Sequence, residues 1–360
     1  MTAGRIAMTL RPNTSPAIVE LPAEEAPPRD GRVLTDTLSD VLRAVRLTGA
    51  VFFTIDASDP WVAEAPPAAA IAPHIMPGVE HVIEYHVVES GSCWGGLIGE
   101  PAIFLEAGDI IVFPRGDQHV ISSSAGMRGE PDTEPHERAR HSPLPISISI
   151  AGGGTDRTQV ICGFMGCDAR PFNPLLATLP RVMHLRSNGE NGSVLRHLVD
   201  LAVTESSTPK PGSDCVLSRL SELLFIEVVR RYVAELPAEN VGWFAGLRDE
   251  QVGRALQKLH QHPAQPWTLE ELAKHVGMSR SMLAERFTHF VGVPPIQYLA
   301  QWRIQLAAVE LRSNNSGLAE IAERVGYGSE AALSRAFKRW VGIAPALYRR
   351  AGAESRSGVR

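Results

Sequence analysis

The chain has 360 residues, of which 44% are hydrophobic and 21% charged, and a formal net charge of −5. This composition excludes collagen-like, coiled-coil and wholly disordered chains, and the length suggests two domains with a linker. It holds no apolar run long enough for a membrane span, no apolar signal core near Met1 and too few cysteines for a disulfide scaffold, so a cytoplasmic protein is expected.

The charge is unevenly spread. Residues 248–350 carry 14 Lys and Arg against 9 Asp and Glu, a net of +5, whereas residues 1–247 carry 19 against 30, a net of −11. A mildly basic C-terminal module attached to something acidic is the expected arrangement.

Residues 1–30 hold Pro12, Pro16, Pro22, Pro27 and Pro28 without a sustained period, which predicts a disordered tail. Asp36 to Leu47 places Leu38, Val41, Leu42 and Val45 at helical spacing. From Ala50 to Ile161 short apolar runs alternate with Gly and Pro, predicting strands over Val51–Ile55, His81–Val88, Ile110–Phe113 and Val120–Ser122. Ile146, Ile148 and Ile150 alternate with Ser147 and Ser149, a period of two. Many short strands with such turns predict a sandwich or barrel over 31–185. Residues 128–142, densely charged and including His136 and His141, read as a disordered insertion. Gly152-Gly153-Gly154 reads as a hairpin turn.

Beyond Pro180 the pattern turns helical. Val194–Val203 and Val216–Leu236 carry apolar residues at spacings of three and four, with a Ser/Pro/Gly loop from Ser206 to Ser213. This region, 186–247, is expected to pack on the strands or to bind a partner.

Residues 248–350 contain an internal repeat. Glu271-Leu272-Ala273 recurs as Glu320-Ile321-Ala322, and Gly277 as Gly326. Ser279, Leu283, Phe287, Gly292, Pro295 and Tyr298 recur as Ser329, Leu333, Phe337, Gly342, Pro345 and Tyr348. Each unit reads as helix, glycine turn, helix. Thr268-x-x-Glu271 is a capping-box pattern, Gly277 suits a left-handed helix end, and Ser279 suits the next N-cap. In the second unit Ser316 is expected to open the first helix. A helix opened by Pro294 and Pro295, with Ala300, Ile304, Ala307 and Leu311 as its buried face, joins the units. Two helix-turn-helix units so joined can place their second helices in successive major grooves.

"WTLEELAKHVGMSRSMLAERF", "VGVPPIQYLAQWRIQLA" and "IAERVGYGSEAALSRAFKRWVGIAPALYRR" resemble the paired helix-turn-helix domain of AraC/XylS transcriptional regulators. The first second-helix presents Arg280, Ser281, Ala284 and Glu285, and the other presents Glu330, Ala331, Ser334, Arg335 and Lys338. The resemblance implies an arginine at Arg335 for base contact, which chemistry supports because a guanidinium pairs bidentately with guanine. Arg280, Arg286, Lys338 and Arg339 are expected on phosphates.

Gly108, Pro114, Gly116 and His119 match the spacing of the second cupin motif, and Glu84-Tyr85-His86 stands in a degenerate first one. With Cys162-Gly163-Phe164 and "PLLATLP" at Pro174–Pro180, the N-terminal half resembles the cupin-like sensor domain of AraC-type regulators. The expected molecule is a multidomain α+β protein: a disordered tail (1–30), a cupin-like β-barrel (31–185, insertion at 128–142), a helical linker or dimerisation region (186–247), an all-α double helix-turn-helix (248–350) and a short tail (351–360).

Glu84, His86 and His119 are the candidate effector pocket, or the ligands of a divalent metal, with His74, His81 and Cys93 nearby. Cys162 and Cys167 form a candidate redox pair, with Arg170 as the local cation that thiolate activation would need. Promoter DNA, a small-molecule effector, RNA polymerase and a second copy of the chain are the implied partners, with no membrane. A sequence-specific transcriptional regulator without enzymatic activity is expected. The alternatives are a metal-dependent cupin enzyme carrying a DNA-binding domain, or a redox-responsive regulator.

Overall fold

The computed structural model describes residues 18–21, 37–139, 145–169, 171–186, 194–237 and 240–357. The remainder of the N-terminal tail, His141 and Arg170 lie outside the described residues.

The N-terminal half is built of two sheets. The larger has seven strands in the order β1 (Ile18–Leu21), β11 (Val182–Leu185), β7 (Ile110–Phe113), β4 (His81–Ser90), β10 (Arg157–Cys167), β2 (Thr48–Ser58) and β9 (Ile146–Ala151). The smaller runs β3 (Val62–Ala65), β8 (His119–Ser122), β5 (Ser92–Leu97) and β6 (Ile103–Glu106). Helices α1 (Thr37–Ala44), α2 (Ala68–Ile75) and α4 (Pro174–Thr178) accompany these strands, the first within the span of expected helical spacing. No strand pairing closes the two into one barrel among the described residues, so the expected barrel is a two-sheet jelly roll.

Strand β4 shows how the layers are filled. Val82 and Val88 join Phe53, Trp61, Leu105 and Phe113 in one apolar cluster between the sheets. Ile83, Tyr85 and Val87 point the other way, into a second cluster under the helices α5 (Val194–Ser207) and α6 (Ser213–Glu235). The period of two sends Glu84 and His86 inward with Val82 and Val88. Tyr85 passes over Gly163, where a Cβ would stand 2.0 Å from its ring. Its hydroxyl meets Ser221 Oγ on α6 at 2.5 Å. Ser221 donates to the Leu217 carbonyl at 2.9 Å, so Tyr85 is the donor in the pair. The Cys-Gly-Phe motif thus leaves room for a ring that links sheet to helix.

Several expectations need correction. Within the supposed tail, Ile18–Leu21 is a strand and pairs in parallel with Val182–Leu185. Within the supposed insertion, Glu134–Ala139 forms a short helix, α3, opened by Asp132 accepting from the Glu134 amide at 2.9 Å. One ring anchors this polar segment: His136 is buried, 4.9 Å from Phe53 and 5.8 Å from Phe164. Gly152–Gly154 is not a hairpin turn, because β9 and β10 lie on opposite sides of β2, parallel and antiparallel to it. The glycines instead cross the end of β2, where a Cβ on Gly152 would stand 2.2 Å from the Pro60 carbonyl. The C-terminal tail, finally, continues the last helix to Ser357.

The helical part comprises α7 (Trp243–Arg248), α8 (Glu250–Gln261), α9 (Leu269–Val276), α10 (Arg280–Val291), α11 (Pro295–Ser313), α12 (Leu318–Val325), α13 (Glu330–Val341) and α14 (Pro345–Ser357). The capping box of Thr268 and Glu271 is present, and Gly277 and Gly326 end α9 and α12 at φ 74° and 87°. Ser279 and Ser329 cap α10 and α13 through the amides of Met282 and Ala332. The expected role of Ser316 goes to Gly317, which caps α12 without a side chain. On α11 the buried face adds Tyr298, Leu299 and Trp302 to the expected set, while Ala300 is half-buried. The repeat extends to ring contacts: Phe287 meets Tyr298 edge-on at 5.7 Å, and Phe337 meets Tyr348 at 5.2 Å.

The two parts share specific contacts along α11. Gln305 donates to the Ala44 carbonyl at 2.8 Å and accepts from the Phe172 amide at 3.1 Å. One turn pair further on, Arg312 reaches Asp168 and Glu80, both at 2.7 Å. Among the described residues no helix is long and apolar enough to cross a membrane.

Candidate functional site

The helices α10 and α13 are each held by two core side chains four apart, Leu283 with Phe287 and Leu333 with Phe337, all fully buried. Their opposite faces are open. Arg280, Ser281 and Glu285 are exposed on α10, with Ala284 half-buried; Glu330, Ala331, Arg335 and Lys338 are exposed on α13, with Ser334 half-buried. Met282, which the periodicity of the sequence does not single out, is also exposed, in the first turn of α10.

The cations divide into two groups. Arg286 is committed to the Asp249 carboxylate, with Nε at 3.0 Å, and that carboxylate also caps α8. Its expected phosphate role therefore competes with an ion pair inside the domain. Arg280 stands 3.9 Å from Glu270, a loose surface pair. Arg335, Lys338 and Arg339 are exposed and make no hydrogen bond or ion pair among the described residues. A helix face with three unspent cations can meet an anion without first breaking a contact.

The second site is a cavity of about 400 Å³ between the sheets. Its walls are apolar side chains of β2, β8, β9 and β10, and residues 129–136 of the supposed insertion cover one side. Beside this cover, buried Glu64 accepts from Arg128 (2.8 Å), Gln118 (2.8 Å) and the Gly129 amide (3.1 Å). These contacts hold the Glu64 carboxyl below its ordinary pKa, the Arg128 hydrogen bond most of all.

Glu84, His86 and His119 come together on the cavity wall, all buried. His119 Nδ1 lies 2.9 Å from the Asp117 carbonyl, which only accepts, so the proton sits on Nδ1 and Nε2 carries a lone pair. His86 Nε2, at 2.7 Å, must then donate to it. This leaves His86 Nδ1 as a buried acceptor with no partner, and both Glu84 oxygens are also without a hydrogen-bond partner. Burial pushes Glu84 up to about 8 and His119 down to about 4, and it holds His86 well below its usual range, with His119 adding to the effect. All three are mainly uncharged near neutrality.

This trio does not fit a metal ion as placed. Imidazole nitrogens bind zinc at about 2.0–2.1 Å, and two of them facing each other across one proton at 2.7 Å leave no room for an ion between. Among the described residues no cluster of three His, Cys, Asp or Glu side chains has the geometry to hold one. The other nearby candidates stand apart: His81 is bonded to the Pro114 carbonyl at 2.7 Å, and Cys93 is buried in the inter-sheet core without lining the cavity.

Cys162 and Cys167 are not brought together. Cys162 lines the cavity and packs with Phe164 and Val160 between the sheets, while Cys167 packs with Met165 and Ile161 on the helix side. Both thiols are free and buried, and burial raises both, Cys167 to about 12, the reverse of what a reactive thiolate needs.

Comparison with known proteins bears on both sites. Residues 36–234 match a cupin family profile, and residues 272–351 match a helix-turn-helix domain. The chain is 35% identical over 272 residues to an AraC-like transcription regulator of Streptomyces lividans, covering 75% of this chain and 87% of the relative. A second such regulator, from Streptomyces antibioticus, is 33% identical over 319 residues, covering 88% and 98%. The HTH-type transcriptional regulator AlkR of Acinetobacter baylyi is 30% identical over 266 residues, covering 73% and 86%.

Proposed function

The chain belongs to the AraC family of DNA-binding transcriptional regulators, and from that premise we propose how its parts divide the work. Helix α13 is the principal reader of promoter DNA. Arg335 contacts a guanine, Lys338 and Arg339 hold phosphates, and Glu330, Ala331 and Ser334 line the same groove face. Helix α10 reads its own groove more lightly through Arg280, Ser281, Ala284 and Glu285. The observation that carries this assignment is the free triplet of cations on α13, set against the committed Arg286 on α10.

The inter-sheet cavity receives a small-molecule effector at Glu84, His86 and His119. Such a ligand can act only through unequal affinity for two arrangements of the molecule. Helices α5 and α6, which carry exposed Val194, Leu201, Val216 and Leu223, form the contact between two copies in the cytoplasm, and the DNA-bound dimer engages RNA polymerase.

The test is capture of genomic fragments by the purified chain, with and without extracts of its own growth medium as effector source. A few enriched sites containing two short motifs about one helical turn apart are expected. Retention no better than random DNA at low and moderate salt, in both conditions, would remove the reading.

A further inference from the structure

The cavity has a chemical bias beyond its size. Its walls are apolar and aromatic, with Phe53, Ile121, Ile148 and Phe164 among them, yet Glu84 and His86 stand there 1% and 5% exposed. Their unpartnered atoms are the Glu84 carboxyl and the His86 Nδ1 lone pair. Among the described residues no lysine or arginine lines the space. The neighbouring cation, Arg128, is spent on Glu64.

Taking this cavity as the effector site, a reading on which the inference rests, we propose that the effector is an organic amine, with an apolar body of arylalkyl size and an ammonium group seated between Glu84 and His86. Donors and acceptors decide the class. A carboxylate or phosphate ligand can accept from the protonated Glu84 but has no donor for His86 Nδ1, and it would bury its charge against a wall that has no cation. An alcohol can accept from the protonated Glu84 and donate to His86 Nδ1, but it brings no charge for the carboxyl to pair with. An ammonium group has several donors, meets both at once, and makes a charge-assisted hydrogen bond with the carboxylate. Phe53 and Phe164 offer ring faces and edges to the remainder of the ligand, and a cavity near 400 Å³ suits a compact molecule. Without such a partner Glu84 tolerates its burial by staying uncharged, as its raised pKa indicates.

Calorimetric titration of the full chain with phenylbutylamine, phenylbutanol and phenylbutyrate tests this. The amine is expected to bind at least about tenfold more tightly than the alcohol, with the carboxylate weakest. Glu84→Gln should abolish the preference for the amine while leaving the alcohol affinity in place. If Glu84→Gln does not fold, Glu84→Asp, which withdraws the carboxyl by one methylene, should weaken the amine more than the alcohol. Alcohol or carboxylate binding as tight as the amine, or an amine preference that survives both substitutions, overturns the amine assignment and leaves the cavity as an effector site. Stoichiometric zinc binding that blocks the amine overturns it as well. Failure of all three compounds to bind overturns the effector site itself, and the amine with it.

Discussion

Arg312 and Asp168 meet at 2.7 Å across 144 residues of sequence. The same guanidinium reaches Glu80 at 2.7 Å and lies 4.4 Å above the ring of Tyr348. One cation therefore joins the edge of the jelly roll to the core of the second helix-turn-helix unit. Arg312→Met would leave Glu80 and Asp168 close together in a mostly buried site, with Arg46 at 3.7 Å from Asp168 as a partial replacement, and a loss of about 2–3 kcal/mol is expected. Denaturant unfolding of the full chain measures it, and stability equal to the parent would refute the coupling role.

Arg335 and Arg286 occupy comparable helices but should respond differently to alanine. Arg335→Ala is expected to weaken specific DNA binding by about 1–3 kcal/mol and to relax selection at one base position, with thermal stability unchanged. Arg286→Ala should act first on stability, because it frees the carboxylate that caps α8. A binding titration and a melting curve on each variant separate the two, and the reverse pattern would exchange their roles.

Gly277 and Gly326 both adopt left-handed backbone, but their surroundings differ. A Cβ on Gly277 meets nothing within 4 Å, whereas on Gly326 it would stand 2.6 Å from Ala264 Cα. Alanine at Gly277 should cost about 1 kcal/mol from backbone strain alone. Gly326→Ala should cost clearly more, since the Ala264 backbone must also move. Equal melting temperatures for the two variants would show that this approach is not constraining.

Acid should destabilise the fold through its buried imidazoles. Burial lowers His119 to about 4 and His260 to about 3. Unfolding returns each ring to an ordinary value near 6.5. Below pH 6.5 the unfolded chain binds protons that the folded chain refuses, so stability falls with pH until the folded values are reached. Each ring, buried His86 included, contributes a slope of about 1.4 kcal/mol per pH unit in that window, and buried Glu84, raised to about 8, offsets one of them without reversing the direction. Denaturant midpoints between pH 7 and 5 should drop, and His260→Gln should flatten the drop; an unaltered slope would exclude His260 as a source.

Much of this architecture is legible from local pattern, because an element that buries one face writes its period into the chain. The alternation from Ile146 to Ile150 marks a real strand with half-buried isoleucines and exposed serines. The offset repeat from Glu271 to Tyr348 locates both glycine turns and both serine caps. A period, however, identifies a face and not a neighbour, which is why the glycines after β9 suggest a hairpin that the sheet order rules out. Charge density misleads in the same way over Arg128–Ala139, where buried His136 and the bonds of Arg128 and Gly129 to Glu64 hold a polar segment against the core. The convergence of Glu84, His86 and His119 follows from strand parity and motif spacing. Their hydrogen-bond polarity does not, since it is fixed by the backbone carbonyl of Asp117.

Helix α11 places Tyr298, Leu299 and Trp302 in one hydrophobic core and Ile304, Ala307, Ala308 and Leu311 in the next. Its 19 residues make a strut of about 28 Å with both ends cemented in packed side chains. Moving α10 relative to α13 would disturb the packing of one or both of those cores. On the proposed assignment of α10 and α13 to two half-motifs, the protein would act as a fixed-gauge caliper: lengthening the operator between them by a few base pairs should rotate one out of reach, with a continuous helix and no flexible linker between the units to compensate.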